Sequence, residues 1–361
     1  MSAQHELDNP PSDAISSVSF SSSGTKLAVG SWDRTVSIYQ RAESGETPFI
    51  RQTGVQCRAP VLDVCWGADE ETLYCVGLDQ DVRCLKGEGD EQEVLSTHEA
   101  ASNKVAYSRE HGIVISTSWD GIMHIHDPTT QRYIRVRLPA KPFALSLTAD
   151  RAVVAMAERK VSVYDLRAFK ALVEQAGGTG SMLDVLEVAP WQQRESSLKF
   201  MTRAISCMPD GSGFATSSIE GRVGVEWFDP EQQKRTYAFK CHRQTSTMPA
   251  EEGEEEGERE VDIVYPVNAL AFHPVHGTFA TGGGDGVVAM WDAQTKRRVR
   301  QYPKLASSVA AMEFSGDGKY LAIAVSPGFE DGQEDEEMDA SLVKVVVREL
   351  SESEAKGKPA K

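Results

Sequence analysis

Two pairs of residues in this sequence have types and spacing that suggest chemistry: Cys241 beside His242, and His124 two positions before His126. A thiol next to an imidazole could form a nucleophile and its base, and two imidazoles on one strand face could begin a metal site. Strand geometry argues against the first pairing, because adjacent residues on a strand point to opposite faces. The histidine pair has no evident third or fourth ligand, so no metal is expected there. Six acids, Asp33, Asp79, Asp120, Glu158, Glu220 and Asp285, recur at tight turns. One acid per unit suits a carboxylate that accepts turn hydrogen bonds, not an acid/base pair. The run at 330–339 lacks the ligand order of a calcium loop, and GGGDG (282–286) opens no helix to cradle a phosphate. Neither an enzyme nor a cofactor is expected.

The elements that position these residues repeat. Seven segments share a short strand, a polar turn, a strand of small and apolar residues, a tight acidic turn and an alternating strand. They span 14–39, 60–85, 103–127, 143–165, 202–229, 267–292 and 308–350. A unit of three or four strands cannot bury both faces alone, so units must stack, and radial closure removes their open edges. No helical period persists over 168–190, which reads as a loop, with one short helix as the alternative. His5-Glu6-Leu7 is a candidate outermost strand for the last unit.

The net charge of −16 is concentrated in two places. EEGEEEGEREVD (251–262) and EDGQEDEEMD (330–339) each carry −7, leaving about −2 for the rest. Such blocks read as solvated insertions, near 246–262 and 328–340, in one domain spanning 1–350. SESEAKGKPAK (351–361) reads as a flexible tail. No apolar run is long enough to span a membrane, and the six cysteines form no CxxC, which fits reduced thiols in a cytosolic or nuclear protein. Two basic strings stand out: KRRVR (296–300), read as lying between units, and RYIRVR (132–137), whose alternation suits an outer strand. Neither carries enough aromatics to stack bases, so direct nucleic-acid binding is not expected. Trp32, Leu78, Trp119, Ala157, Ile219 and Gly284 each precede a turn acid. Large apolar groups there are surplus to a core and mark an interaction face.

The unit resembles the WD repeat: MWD at 290–292 keeps the strand-ending Trp-Asp, with IHD, VYD and WFD as variants at 125–127, 163–165 and 227–229. His98 and His242 fall where that family places its Gly-His histidine. The resemblance implies an all-β, seven-bladed WD40-type β-propeller. Longer strings, SWDRTVSIY, VYDLR, RESSLKFMTR, IEGRV and FKCHR, are similar to the third member of the budding-uninhibited-by-benzimidazole (Bub) family of spindle-checkpoint propellers. The messenger-RNA-export propeller of the nuclear pore is a close cousin, and HPVHGT leans toward it.

The Bub resemblance implies a checkpoint adaptor, monomeric by itself, in the nucleus and at kinetochores in mitosis. Its partners would be a Bub-type kinase or pseudokinase, bound through a short acidic motif, and an outer-kinetochore scaffold with phosphorylated MELT repeats. Trp32, Trp119 and Arg203 match the motif-binding face, and Arg222 and Lys240 match the phosphothreonine-binding residues. Read without the family, an ordinary surface ion pair of Arg222 with Glu220 or Glu226 is slightly favoured, and the family match reverses that order.

Overall fold

The second strand of each unit is buried almost throughout, as in Lys26–Ser31, Ile113–Ser118, Gly213–Ser218 and Thr278–Gly283. A strand of small and apolar residues covered on both faces has to lie inside a stack. The computed structural model describes residues 3–42, 48–87, 91–176, 184–249, 258–328 and 339–357. Seven antiparallel sheets follow one another as the blades of a propeller, at 15–56, 61–97, 102–137, 142–195, 202–240, 267–301 and 309–349. The core lies between blades: Leu27, Val29, Tyr39 and Phe49 of blade one pack against Ala322, Val345 and Val347 of blade seven.

The ring closes as expected. Gln4–Glu6 forms the outermost strand of blade seven, with His5 opposite Val347, and Leu7 is buried behind it. Around the central channel, side chains of one blade bond the backbone of the next. Ser16 Oγ donates to Val61 O (2.7 Å), Asp63 Oδ2 accepts from Val105 N (3.0 Å), and Asn103 Nδ2 donates to Pro142 O (3.0 Å). Glu313 of blade seven accepts from the backbone N–H of Phe20 in blade one. These bonds satisfy polar groups that the channel wall would otherwise leave unpaired.

Four sequence expectations are corrected. Leu166–Gln175 is a helix, α1, not a loop: Asp165 caps it by accepting from Arg167 N and Ala168 N, and Leu166, Phe169 and Val173 are buried. The arginine string lies not between blades but on the outermost strand of blade six, Arg297–Gln301. The ends of the first acidic insertion form a hairpin, Arg243–Pro249 paired with Glu258–Val264; residues 250–257 lie outside the described residues. The C-terminal segment is attached over 351–357. Glu352–Ala355 is a short helix, α2, whose buried Glu354 binds Arg300 (2.8 Å) and Arg348 (3.1 Å). Its Ala355 carbonyl accepts from Thr278 Oγ1 (2.6 Å). Residues 329–338, within the second insertion, and 358–361 lie outside the described residues.

Candidate functional site

Successive strands run in opposite directions, so the acidic turns and the links between blades emerge on the same face of the disc. On that face the backbone around Trp32 is saturated. Its N–H donates to Ala14 O (2.9 Å), and Asp33 Oδ1 accepts from both the N–H (2.9 Å) and the hydroxyl (2.6 Å) of Thr35. The turn is therefore fixed without help from the indole, which is 43 % exposed. Trp119 repeats the arrangement: its N–H reaches Ala101 O, Asp120 Oδ1 accepts from Ile122 N (2.7 Å), and the indole is 40 % exposed. The ammonium of Lys141 lies 4.8 Å from the Trp119 ring centroid, a favourable cation–π approach.

Sequence reasoning missed two residues here. Phe200 (49 % exposed) and Met201 (45 %) sit on the link into blade five, beside Ile219, whose N–H donates to Met201 O (3.1 Å). The signal was Lys-Phe-Met, an apolar pair in a polar loop. Leu78, Ala157 and Gly284 are only partly exposed.

Of the acids at these turns, Asp33, Asp120 and Asp285 accept backbone bonds as expected. Asp79 binds Arg83 instead (2.6 Å), and Glu158 is exposed and pairs with Lys160. His242 is structural: its ring bonds Asp285 Oδ1 and Thr281 Oγ1, both at 2.8 Å, and Thr281 Oγ1 also accepts from Trp291 Nε1 (3.0 Å). Burial pushes the neighbouring Cys241 thiol up to about 12, the opposite of nucleophile activation. His98 bonds Asp120 and Ser116 in the same manner. His124 stacks on His98 with ring centroids 3.6 Å apart, and Ser96 Oγ bridges His124 and His126. Burial holds both neutral, with His126 pushed down to about 3 and His124 lower still. Among the described residues no group of three His, Cys, Asp or Glu is placed to hold a metal.

The basic residues fall in two places. Arg203 is exposed at the start of strand Thr202–Cys207, at the wall of a central cavity of about 600 Å3, with its Nε donating to Asn268 Oδ1 (3.1 Å). Arg222 and Lys240 are direct cross-strand partners in blade five, so their side chains leave the same face of the sheet. Arg222 Nε is 3.0 Å from Glu220 Oε2, the ion pair that is one of its two readings from sequence. Arg243 braces the same turn, donating to Glu220 O (2.9 Å). Lys240 is exposed and makes no ion pair among the described residues. Two arginines thus share the Glu220 carboxylate, and Lys240, across the strand from Arg222, adds a third positive charge, a surplus suited to an anion.

The WD domain, G-beta repeat family matches residues 2–40 and 264–292, which are the closing strand with the first three strands of blade one, and the first three strands of blade six. The chain is 40% identical to the mitotic checkpoint protein BUB3.1 of Arabidopsis thaliana, covering 99% of this chain and 96% of that one. The chain belongs to the Bub3 family. The spindle assembly checkpoint protein bub3 of Schizosaccharomyces pombe is 35% identical over 86% of this chain and 88% of its own. The mRNA export factor GLE2 of Chaetomium thermophilum is 28% identical over 91% and 85%. The chain is accordingly a mitotic-checkpoint WD-repeat protein, with export factors as relatives of lower identity. Within this Bub3-family propeller, the residues matched from sequence occupy one face: Trp32, Trp119 and Arg203 across it, Arg222 and Lys240 toward the rim of blade five.

Proposed function

We propose that this Bub3-family chain is a non-enzymatic adaptor of the spindle assembly checkpoint. Trp32, Trp119 and Arg203 hold the short acidic motif of a Bub-type kinase or pseudokinase. Arg222 and Lys240 bind phosphothreonine in MELT repeats of the outer-kinetochore scaffold, bringing the kinase to kinetochores. The observation that carries this reading is the direct pairing of Arg222 with Lys240 on neighbouring strands. It offers a planar fork and a mobile ammonium to one dianion.

The exposed indoles support the motif site. An extended peptide laid across the face covers apolar area that the fold itself leaves open, and Arg203 provides a charged anchor.

The test is binding of MELT peptides with and without phosphate. The phosphorylated form should bind at least about tenfold more tightly, and Arg222→Ala with Lys240→Ala should remove the difference. Equal binding of the two forms by the unaltered protein would refute it. Purification from mitotic cells with a nucleoporin and no checkpoint kinase would instead favour an export factor.

A further inference from the structure

We propose that the outermost strand of blade six, Arg297–Gln301, takes an extended acidic segment of a partner protein as a fifth strand. The strand ends its sheet, leaving one row of backbone donors and acceptors open. Arg297, Arg298, Arg300 and Gln301 are exposed, and only Val299 turns inward.

Glu354 occupies Arg300 at one end of the strand and Asp292 lies opposite Arg297, but the cations there still outnumber these acids. Lys234, Arg235, Lys296, Arg297 and Arg298 make no ion pair among the described residues, although most other arginines of the propeller do. Arg298 lies across from Trp291 on the side facing blade five, where Lys296 stands 4.7 Å over the Tyr237 ring. Arg235 stands 4.7 Å over the Trp227 ring and reaches Gln294. Unneutralised cations held together at an edge repel one another, and an anionic partner relieves this.

The molecule already contains such a complex within itself. The matching strand of blade three, Arg132–Arg137, is also arginine-rich, and its edge is filled by Val185–Leu186, paired in parallel as a fifth strand. Acids flank that segment, Asp184 before it and Glu187 after it, and Glu187 Oε1 lies 2.9 Å from Arg137 Nε. Blade six presents the same kind of edge without an occupant among the described residues. Main-chain bonds along the edge supply affinity, and alternating acids supply register. A protein strand is favoured over nucleic acid because the cations Arg235 and Lys296 already cover faces of Trp227 and Tyr237 that bases would need.

The experiment titrates the full chain with a fluorescent (Glu-Val)4 peptide and, separately, with a single-stranded RNA 12-mer. The peptide should bind with strong salt dependence. Arg297→Glu with Arg298→Glu, both at exposed positions, should weaken it about fivefold or more. A peptide N-methylated at alternate residues should also lose binding, as charge attraction alone would not require. Arg222→Ala with Lys240→Ala should leave peptide binding unchanged, which separates this edge from the phosphothreonine site. Binding indifferent to the charge reversal or to N-methylation, or tighter binding of RNA than of peptide, would overturn the proposal.

Discussion

Glu313 lies on the channel wall at the junction of the last and first blades. Burial raises its carboxyl from 4.5 to about 8, against the opposing hydrogen bonds from Phe20 N–H and Ser19. The folded protein therefore holds a proton there that the unfolded chain has released above pH 4.5. Stability from this group is complete below 4.5 and is lost as pH rises toward and through 8. At about 1.36 kcal/mol per tenfold, the loss between pH 6 and pH 9 reaches about 2.7 kcal/mol, an upper bound because the channel admits water to one side. Glu313→Gln keeps the shape and an oxygen for the Phe20 N–H while removing the ionisation. Urea unfolding at pH 6, 7, 8 and 9 should show the unaltered protein losing stability relative to the variant by roughly 1–3 kcal/mol across that range. Parallel curves for the two proteins would show that no proton is held at Glu313 and sink the reasoning.

Glu220→Gln, which removes the carboxylate competing for Arg222, should tighten binding of phosphorylated MELT peptide about three- to fivefold, read by calorimetry at fixed salt. Acidification should weaken the fold from the usual histidine value near 6.5 down toward 3. His124 and His126 are buried neutral and take up protons only on unfolding, so the slope of unfolding free energy against pH should be positive there. A flat profile between pH 6 and 4 would contradict that account. Glu354→Ala should cost about 3 kcal/mol in chemical denaturation, because it leaves the mostly buried Arg348 without its carboxylate.

The repeat was legible because each blade spends its second strand on small buried residues and marks a turn with an acid. The histidines at 98 and 242 followed from the resemblance to the WD repeat, and the closing strand, read as 5–7, lies one residue earlier at Gln4–Glu6. Elements that break the period were hidden. The helix after Asp165 buries only Leu166, Phe169 and Val173, too few turns for a period to stand out, although its capping aspartate was visible. The fifth strand of blade three is two residues long, below any pattern. Arg297–Gln301 carries a bulge between its pairings with Met290 and Trp291, which breaks the alternation that identifies a strand. Ser351-Glu-Ser-Glu resembles a solvated tail, yet it is also a capping box, and what holds it is Arg348 six residues before Glu354 together with Arg300, 54 residues away, which no local reading can supply. Trp32 and Trp119 were readable as surplus to the core, whereas Arg243 was not, because its role depends on a hairpin that bends back beside Glu220.

Closing the last blade with the first strand has a consequence for biosynthesis. Gln4 and Arg348, which bond side chain to side chain, are separated by 344 residues. At about 5–20 residues per second, the N-terminal strand waits roughly 17–70 s on the ribosome before its partner exists. Until then the blades already made form an open arc with an uncovered sheet face at each end. The growing chain thus needs protection longest at its first few residues. A product truncated before 344 can never close, so completion of the ring reports that translation reached the end of the propeller.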